Sequence, residues 1–82
     1  MKVLLVCTGN ICRSPAAHLL LAKAKAFGPG ATFSSAGTQA VVGHGLESQM
    51  AEAFAPLQID ASGFSARLLT AEIIADADLI LT

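Results

Sequence analysis

Apolar residues cluster in three short runs along the chain, and longer mixed segments separate these runs. Residues 2–6, K-V-L-L-V, are almost continuously apolar, which is typical of a strand buried on both faces of a parallel sheet. Residues 31–35, A-T-F-S-S, and residues 78–82, D-L-I-L-T, predict a second and a third short strand. The segments between the runs are long enough to carry helical connections.

Helices are predicted in these mixed segments. Ser14 followed by Pro15 is a favourable helix start, with serine as the N-cap and proline at the first helical position. Glu72 suits the first turn of a later helix, where negative charge is favoured by the helix dipole. The predicted helices cover residues 16–27, residues 46–55 and a short segment that begins at Thr70 as its N-cap.

This alternation predicts an α/β fold in three layers, α-β-α, with a parallel sheet and right-handed crossovers. No linker interrupts residues 1–82, so the chain is interpreted as part of one domain. The third strand ends the sequence, and an uncovered apolar sheet edge invites association. We therefore expect an incomplete domain that lacks its last strand and C-terminal helix. Self-association through the uncovered edge is the alternative.

The segment C-T-G-N-I-C-R-S, residues 7–14, connects the first strand to the first helix and carries the candidate chemistry. Five residues separate Cys7 from Arg13, and this spacing lets the loop wrap in a semicircle. The backbone N–H groups of residues 8–13 then point at one centre, which makes an anion-binding nest at a helix N-terminus. Gly9 and Asn10 tolerate the positive φ that such a turn needs. The predicted phosphate-binding residues are Thr8, Gly9, Asn10, Ile11, Cys12 and Arg13.

Cys7 lies at the base of this loop and is the candidate nucleophile. Converging amides, the helix dipole and the charge of Arg13 all favour the thiolate and lower its pKa. The hydroxyl of Ser14 can donate a further hydrogen bond to sulfur, and the planar fork of Arg13 can bind two phosphate oxygens. The implied reaction is in-line attack of sulfur on phosphorus, followed by hydrolysis of a phosphocysteine intermediate. Cys7, Arg13 and Ser14 are therefore the candidate catalytic residues.

Composition and charge exclude several classes of function. The net charge of the 82 residues is −1 and the five basic residues are scattered, so no nucleic-acid footprint is present. No apolar run approaches the roughly 18 residues of a membrane span, and the apolar start is too short for a secretion signal. The two cysteines lie in one loop, where a disulfide would not connect distant parts of the fold. A structural disulfide is therefore not expected, and a reducing cytoplasm fits best.

Neither a metal nor a cofactor is expected at the loop. A zinc site would need two ligands beyond Cys7 and Cys12, and His18 and His44 do not have the spacing of a zinc finger. The order G-x4-G-K-[ST] of a nucleotide-binding loop is absent. His18 is interpreted as a helix-surface residue and His44 as an exposed loop residue.

The run V-C-T-G-N-I-C-R-S-P closely resembles the signature of the low-molecular-weight protein-tyrosine phosphatases. The similarity continues in the family's order at S-A-G-T (35–38), I-D (59–60), A-R-L-L-T (66–70) and A-D-L-I-L-T (77–82). The resemblance implies a substrate that is a phosphotyrosine protein or a small aryl phosphate.

The same resemblance implies roles for the residues of the loop. Cys7 would be the nucleophile, Arg13 would bind phosphate, and Ser14 would assist the thiolate as leaving group. Asn10 and Ser35 would belong to a hydrogen-bond network that supports the loop. Cys12 would be a neighbouring thiol that traps Cys7 as a reversible disulfide under oxidation.

Three departures from the family's pattern qualify this expectation. The family has a general acid in an Asp-Pro loop, and these 82 residues contain no Asp-Pro. An aromatic residue that commonly lines the substrate cleft corresponds to Val41 or Val42. A histidine that often supports the loop network corresponds to Phe64. The six carboxylates present are interpreted as helix caps or solvated residues.

Three functions follow from these observations. The first is a phosphatase that hydrolyses phosphotyrosine-type aryl phosphomonoesters through a phosphocysteine. The second is a catalytically incomplete fragment that binds phosphate, since the expected acid is missing. The third is a thioredoxin-coupled arsenate reductase, which shares the fold and the loop but relays oxidation through further cysteines.

Overall fold

The computed structural model describes residues 1–82 as a three-stranded parallel sheet with helices packed against it. The elements in chain order are β1 (Lys2–Cys7), α1 (Arg13–Lys23), β2 (Thr32–Gly37), α2 (Ser48–Phe54), a 3-10 turn (Ala55–Leu57), α3 (Ala71–Asp76) and β3 (Leu79–Leu81). The strand order is β2-β1-β3, so β1 is central and pairs in parallel with both neighbours. The predicted α/β class is confirmed.

The strand order determines where the helices lie. The connection from β1 to β2 moves one way across the sheet, and the connection from β2 to β3 moves back past β1. Crossovers between parallel strands are right-handed as a rule, and two such crossovers in opposite directions place α1 and α3 on opposite faces of the sheet. The carboxyl end of β1 is therefore the point at which the connections diverge, where open α/β sheets place their ligands.

The core of the fold is centred on β1. Val3, Leu4 and Leu5 are consecutive and all buried, which requires both faces of the strand to be covered. The start of α1 is anchored in the same core, since Pro15 and Ala16 are buried. Phe54 at the end of α2 is also buried, with 3% of its surface exposed. Both ends of the loop between β1 and α1 are thus held on rigid elements.

The boundaries of α1 differ from the prediction. The helix begins at Arg13, and Ser14 is not its N-cap: that position is Cys12, which makes no side-chain capping bond. Ser14 is buried in the first turn because its hydroxyl is used by the loop instead. The helix ends at Lys23, four residues before the predicted end, because Lys25 and Phe27 adopt left-handed φ values of 53° and 62°.

The other elements agree with the prediction apart from their ends. The strand β2 continues to Gly37, which pairs with Cys7 at the end of β1. Thr70 is the N-cap of α3 as predicted, and its hydroxyl accepts a hydrogen bond from the amide of Ile73 at 3.2 Å. The strand β3 forms an outer edge of the sheet, where Ile80 is exposed. No helix is both long and apolar enough to cross a bilayer.

Candidate active site

The carbonyl groups of the loop after β1 are held from outside by the segment that follows β2. The pairs are Thr38 N with Cys7 O at 3.0 Å, Gln39 N with Thr8 O at 2.9 Å, Val41 N with Gly9 O at 3.0 Å, and Glu47 N with Ile11 O at 2.7 Å. Every peptide bond is trans, so the N–H group of each such peptide points opposite to its carbonyl. The amides of Thr8, Gly9, Asn10 and Cys12 therefore face the concave side of the loop.

Most of these amides have no acceptor within the protein. Asn10 donates its amide to the sulfur of Cys7 at 3.3 Å, whereas the amides of Thr8, Gly9, Ile11 and Cys12 make no intramolecular hydrogen bond. Such unpaired donors converging beside a helix N-terminus form an anion-binding nest. This backbone geometry is the one that the predicted phosphate cradle requires.

Asn10 fixes the backbone conformation of the loop. It is fully buried and has a left-handed φ of 57°, while Gly9, which the sequence also offered for a positive φ, does not adopt one. The side chain of Asn10 offsets the cost of this conformation through two hydrogen bonds of 2.9 Å. It accepts from the amide of Arg67 and donates to the hydroxyl of Ser14. The predicted role of Asn10 in loop support therefore has a specific geometry.

Cys7 and Ser14 form the chemical centre of the loop, with the hydroxyl oxygen 2.9 Å from the sulfur. Because that oxygen accepts from Asn10, its own proton is free to point at the sulfur. Burial alone raises the pKa of the Cys7 thiol. The hydroxyl and amide of Ser14, the amide of Asn10 and the charge of Arg13 outweigh burial and lower this pKa.

The contribution of Ser14 can be tested by alkylation of Cys7. In Ser14→Ala the hydrogen bond to sulfur is lost, so the pKa of Cys7 rises and the pH midpoint of its reaction with iodoacetamide moves upward. Below that midpoint we expect a reaction roughly tenfold slower or more, which corresponds to a hydrogen bond of about 1.5 kcal/mol to a charged group. All the proteins compared also carry Cys12→Ser, so that Cys7 is the only thiol that can react with iodoacetamide.

Ser65→Ala is the matched control, because Ser65 is exposed and its side chain makes no hydrogen bond. It should leave the midpoint where it is. An unchanged midpoint in Ser14→Ala would show that the serine does not stabilise the thiolate.

Arg13 opens α1 and borders the same site. A cavity of about 550 Å³ beside the loop is lined by Cys7, Thr8, Arg13, Ser14 and Thr38, among others. The guanidinium of Arg13 makes no ion pair, since the single salt bridge of the protein joins Lys2 to Asp76. Arg13 is therefore free to bind an anion in the cavity.

None of the six carboxylate side chains lines this cavity. Glu47 caps α2, Asp60 accepts from the amide of Ser62, Asp76 pairs with Lys2, Asp78 accepts from the amide of Lys2, and Glu52 and Glu72 are exposed. The prediction that these carboxylates are caps or solvated residues agrees with these positions. No group of three or more His, Cys, Asp or Glu side chains is placed to hold a metal ion.

Two further residues support the loop and were not predicted from the sequence to do so. A Cβ added to Gly37 would lie 2.5 Å from the carbonyl oxygen of Thr8 and 3.0 Å from Asn10, so only glycine fits at this contact. Arg67 donates its amide to Asn10 and its Nε to the carbonyl of Ser35, both at 2.9 Å. The glycine of S-A-G-T and the arginine of A-R-L-L-T were the available signals.

One interpretation of the histidines is wrong and the other is confirmed. His18 is not a helix-surface residue: it is half-buried, and its Nδ1 lies 3.1 Å from the hydroxyl of Ser35. His44 is an exposed loop residue as predicted, and its Nδ1 lies 2.6 Å from the carbonyl of Gly45. Val41 and Val42 are the residues that correspond to the aromatic residue of the substrate cleft. Of these two, Val41 contacts the loop, because its amide donates to the carbonyl of Gly9 at 3.0 Å.

The chain as a whole matches a known protein family. A sequence model of the low molecular weight phosphotyrosine protein phosphatases matches residues 2–82. The chain belongs to this family. The low molecular weight protein-tyrosine-phosphatase Wzb of Salmonella typhi is 41% identical over 81 residues, which are 99% of this chain and 52% of Wzb. The chain thus spans about half the length of the curated relatives it matches.

Solved structures of phosphatases superimpose closely on the chain. The low molecular weight protein tyrosine phosphatase from T. tengcongensis has a TM-score of 0.89 at 42% identity, covering 99% of this chain and 56% of that one. The YwlE arginine phosphatase from Geobacillus stearothermophilus has a TM-score of 0.89 at 34% identity, covering 98% of this chain and 50% of that one. The resemblance inferred from the sequence is confirmed.

Proposed function

We propose that residues 1–82 form the N-terminal part of a phosphatase domain that hydrolyses phosphotyrosine-type aryl phosphomonoesters. The observation that carries the proposal is the meeting of three features at one point. Unpaired amides face the concave side of the loop, Cys7 has a lowered pKa at its base, and Arg13 borders the same cavity without a carboxylate partner.

In the proposed reaction the amides of residues 8–13 and the guanidinium of Arg13 bind the phosphoryl oxygens. The sulfur of Cys7 attacks phosphorus, the S–P bond forms as the P–O ester bond breaks, and the aryl oxide leaves. Water then attacks the phosphocysteine, the S–P bond breaks, and inorganic phosphate is released. Ser14 stabilises the sulfur as a thiolate before the first step and as the leaving group in the second.

An anion-binding experiment tests the cradle directly. A ligand that binds only the folded state at one hundred times its Kd stabilises that state by about 2.7 kcal/mol. We therefore expect inorganic phosphate to raise the Tm of the chain with saturation, compared with sodium chloride at equal ionic strength. Arg13→Ala should reduce this rise. A wild-type Tm that phosphate does not change would refute the proposal.

The leaving group is expected to control the rate of this chain. Since no carboxylate side chain lines the cavity, no side chain there is placed to protonate the departing oxygen, and general acid catalysis is typically worth about 10²- to 10⁴-fold. Hydrolysis should therefore strongly favour 4-nitrophenyl phosphate over glycerol phosphate, whose alkoxide is a poor leaving group. Equal rates would contradict the mechanism. Phosphate binding without any hydrolysis would favour the incomplete, phosphate-binding fragment.

Phosphoarginine is the second candidate substrate, because one structural neighbour is an arginine phosphatase. The relatives of higher identity are named tyrosine phosphatases, which favours an aryl phosphate. Comparing a phosphotyrosine peptide with the same peptide carrying phosphoarginine decides between them. Membership of the phosphatase family speaks against the arsenate reductase.

Two further proposals concern the setting of the protein. A cytoplasmic location is supported by Cys7 and Cys12, which are both free thiols and would be maintained in a reducing compartment. Self-association through β3 is supported by its position at an edge of the sheet and by the exposure of Ile80. Sedimentation at several protein concentrations tests the second proposal.

A further inference from the structure

Behind the phosphate loop, α1 and β2 meet the segment 64–67 at His18. The Nδ1 of His18 lies 3.1 Å from the hydroxyl of Ser35, which is buried near the end of β2. The ring of His18 meets Phe64 edge to face, with centroids 6.4 Å apart and an angle of 67° between the planes. His18, which lies on α1, therefore contacts both β2 and the segment 64–67.

A continuous set of hydrogen bonds leads from this histidine to the loop. The carbonyl of Ser35 accepts from the Nε of Arg67 at 2.9 Å, and the amide of Arg67 donates to Asn10 at 2.9 Å. Asn10 in turn donates its own amide to the sulfur of Cys7. The first three links join residues 17, 32 and 57 positions apart in the chain, so no local structure holds these contacts if one partner is lost.

We propose that His18 is a positioning residue for the phosphate loop, which acts by holding Ser35 and Arg67 in the arrangement that fixes Asn10. The proposal rests on the proposed function of the loop and adds a residue to it. The side chain of His18 does not line the cavity and makes no hydrogen bond to the sulfur, so we expect its effect on Cys7 to pass through Ser35, Arg67 and Asn10.

The imidazole of His18 performs this role in its neutral form. The segment 64–67 contributes the positive charge of Arg67 and the ring of Phe64, and β2 contributes the hydroxyl of Ser35. Burial lowers the pKa of His18, and the charge of Arg67 lowers it further. The neutral ring has one donor and one acceptor nitrogen, and a hydroxyl can pair with either.

The sign of the pH dependence follows from this lowered pKa. Between the folded pKa and the unfolded value near 6.5, the unfolded chain binds more protons than the folded one. The stability contributed by neutral His18 is therefore present above about pH 6.5 and is lost as the pH falls through the folded pKa. Replacing His18 should remove this part of the dependence of the free energy of unfolding on pH.

Two variants separate positioning from packing. His18→Phe keeps a ring of similar size but removes the hydrogen bond, whereas His18→Gln keeps a polar end that can reach Ser35. We expect His18→Phe to weaken binding of inorganic phosphate about fivefold, the factor of one neutral hydrogen bond. It should also move the pH midpoint of Cys7 alkylation upward. His18→Gln should restore both readouts, and His44→Phe, at an exposed loop position, should change neither.

The outcomes distinguish this proposal from the proposed function. If His18→Phe binds phosphate and alkylates as the wild type does, the positioning role is overturned. If wild-type protein binds no phosphate, the proposed function fails, and the alkylation midpoints still decide the role of His18. Should His18→Phe not fold, Ser35→Ala removes the same hydrogen bond from β2, and an unchanged alkylation midpoint in that variant overturns the proposal.

Discussion

Replacing Cys7 with serine is expected to reduce hydrolysis of 4-nitrophenyl phosphate to the rate seen without protein, while inorganic phosphate still binds. A serine hydroxyl stays protonated at neutral pH, and the cavity beside Cys7 has no histidine or carboxylate side chain to accept its proton. Binding survives because it depends on backbone amides and Arg13, which the substitution leaves in place. Removing the thiolate also removes a negative charge that repels the phosphate dianion, so affinity should stay level or increase.

The measurement compares initial rates with phosphate titrations on the same preparations. Cys12→Ser is the matched variant, because it makes the same substitution in the same loop and keeps the amide that faces the concave side. It should retain most of the activity. Hydrolysis that survives Cys7→Ser would assign the attack on phosphorus to another group. Loss of phosphate binding in Cys7→Ser would show that the backbone cradle does not bind the anion by itself.

The sequence predicted the parts of this protein that depend on local patterns. The continuous apolar run of β1 fixes a strand buried on both faces, and the Cys7-to-Arg13 spacing fixes a loop that closes on one centre. Asn10 adopts the left-handed conformation that its residue type favours. Thr70 caps α3 because its hydroxyl serves the nearest free amides. For the cap of α3 the deciding contact lies within a few residues, and for β1 and the loop the residue types and their spacing already indicate the conformation.

The errors arise where a distant partner competes with a local preference. Ser14 has the residue type of an N-cap, but its hydroxyl is used by Cys7 and Asn10, so the cap falls on Cys12. His18 has the spacing of a helix-surface residue, but Ser35 is 17 positions away in sequence and meets it in space. The periodicity of the sequence cannot reveal this contact, because it depends on how α1 packs against β2.

The phosphate cradle itself also depends on distant residues. Its inward-facing amides are oriented because residues 38–47 hold the opposite carbonyls, and its buried asparagine is fixed by Arg67, which lies 57 positions away. A peptide of residues 7–14 alone would keep the motif without these restraints. The proposed anion site therefore depends on the contact between the loop and the end of β2.

Gly37→Ala tests that contact, and we expect it to weaken phosphate binding by roughly 10- to 100-fold. The added Cβ would lie 2.5 Å from the carbonyl oxygen of Thr8 and 3.0 Å from the backbone nitrogen of Asn10. These are backbone atoms, which cannot move aside as a flexible side chain does. The strand cannot retreat either, because Gly37 donates to Arg67 at 3.0 Å and accepts from Leu69 at 2.8 Å.

The loop must therefore shift, which turns the peptide between Thr8 and Gly9 and removes its N–H group from the concave side. Inserting one carbon into a well-packed site typically costs about 1–3 kcal/mol, so the Tm should fall together with the affinity. Gly63→Ala is the matched control: nothing lies within 4 Å of its added Cβ, and it should leave both quantities near wild type. Wild-type phosphate affinity in Gly37→Ala would mean that β2 does not shape the cradle, and that the amides of residues 8–13 are oriented by the loop alone.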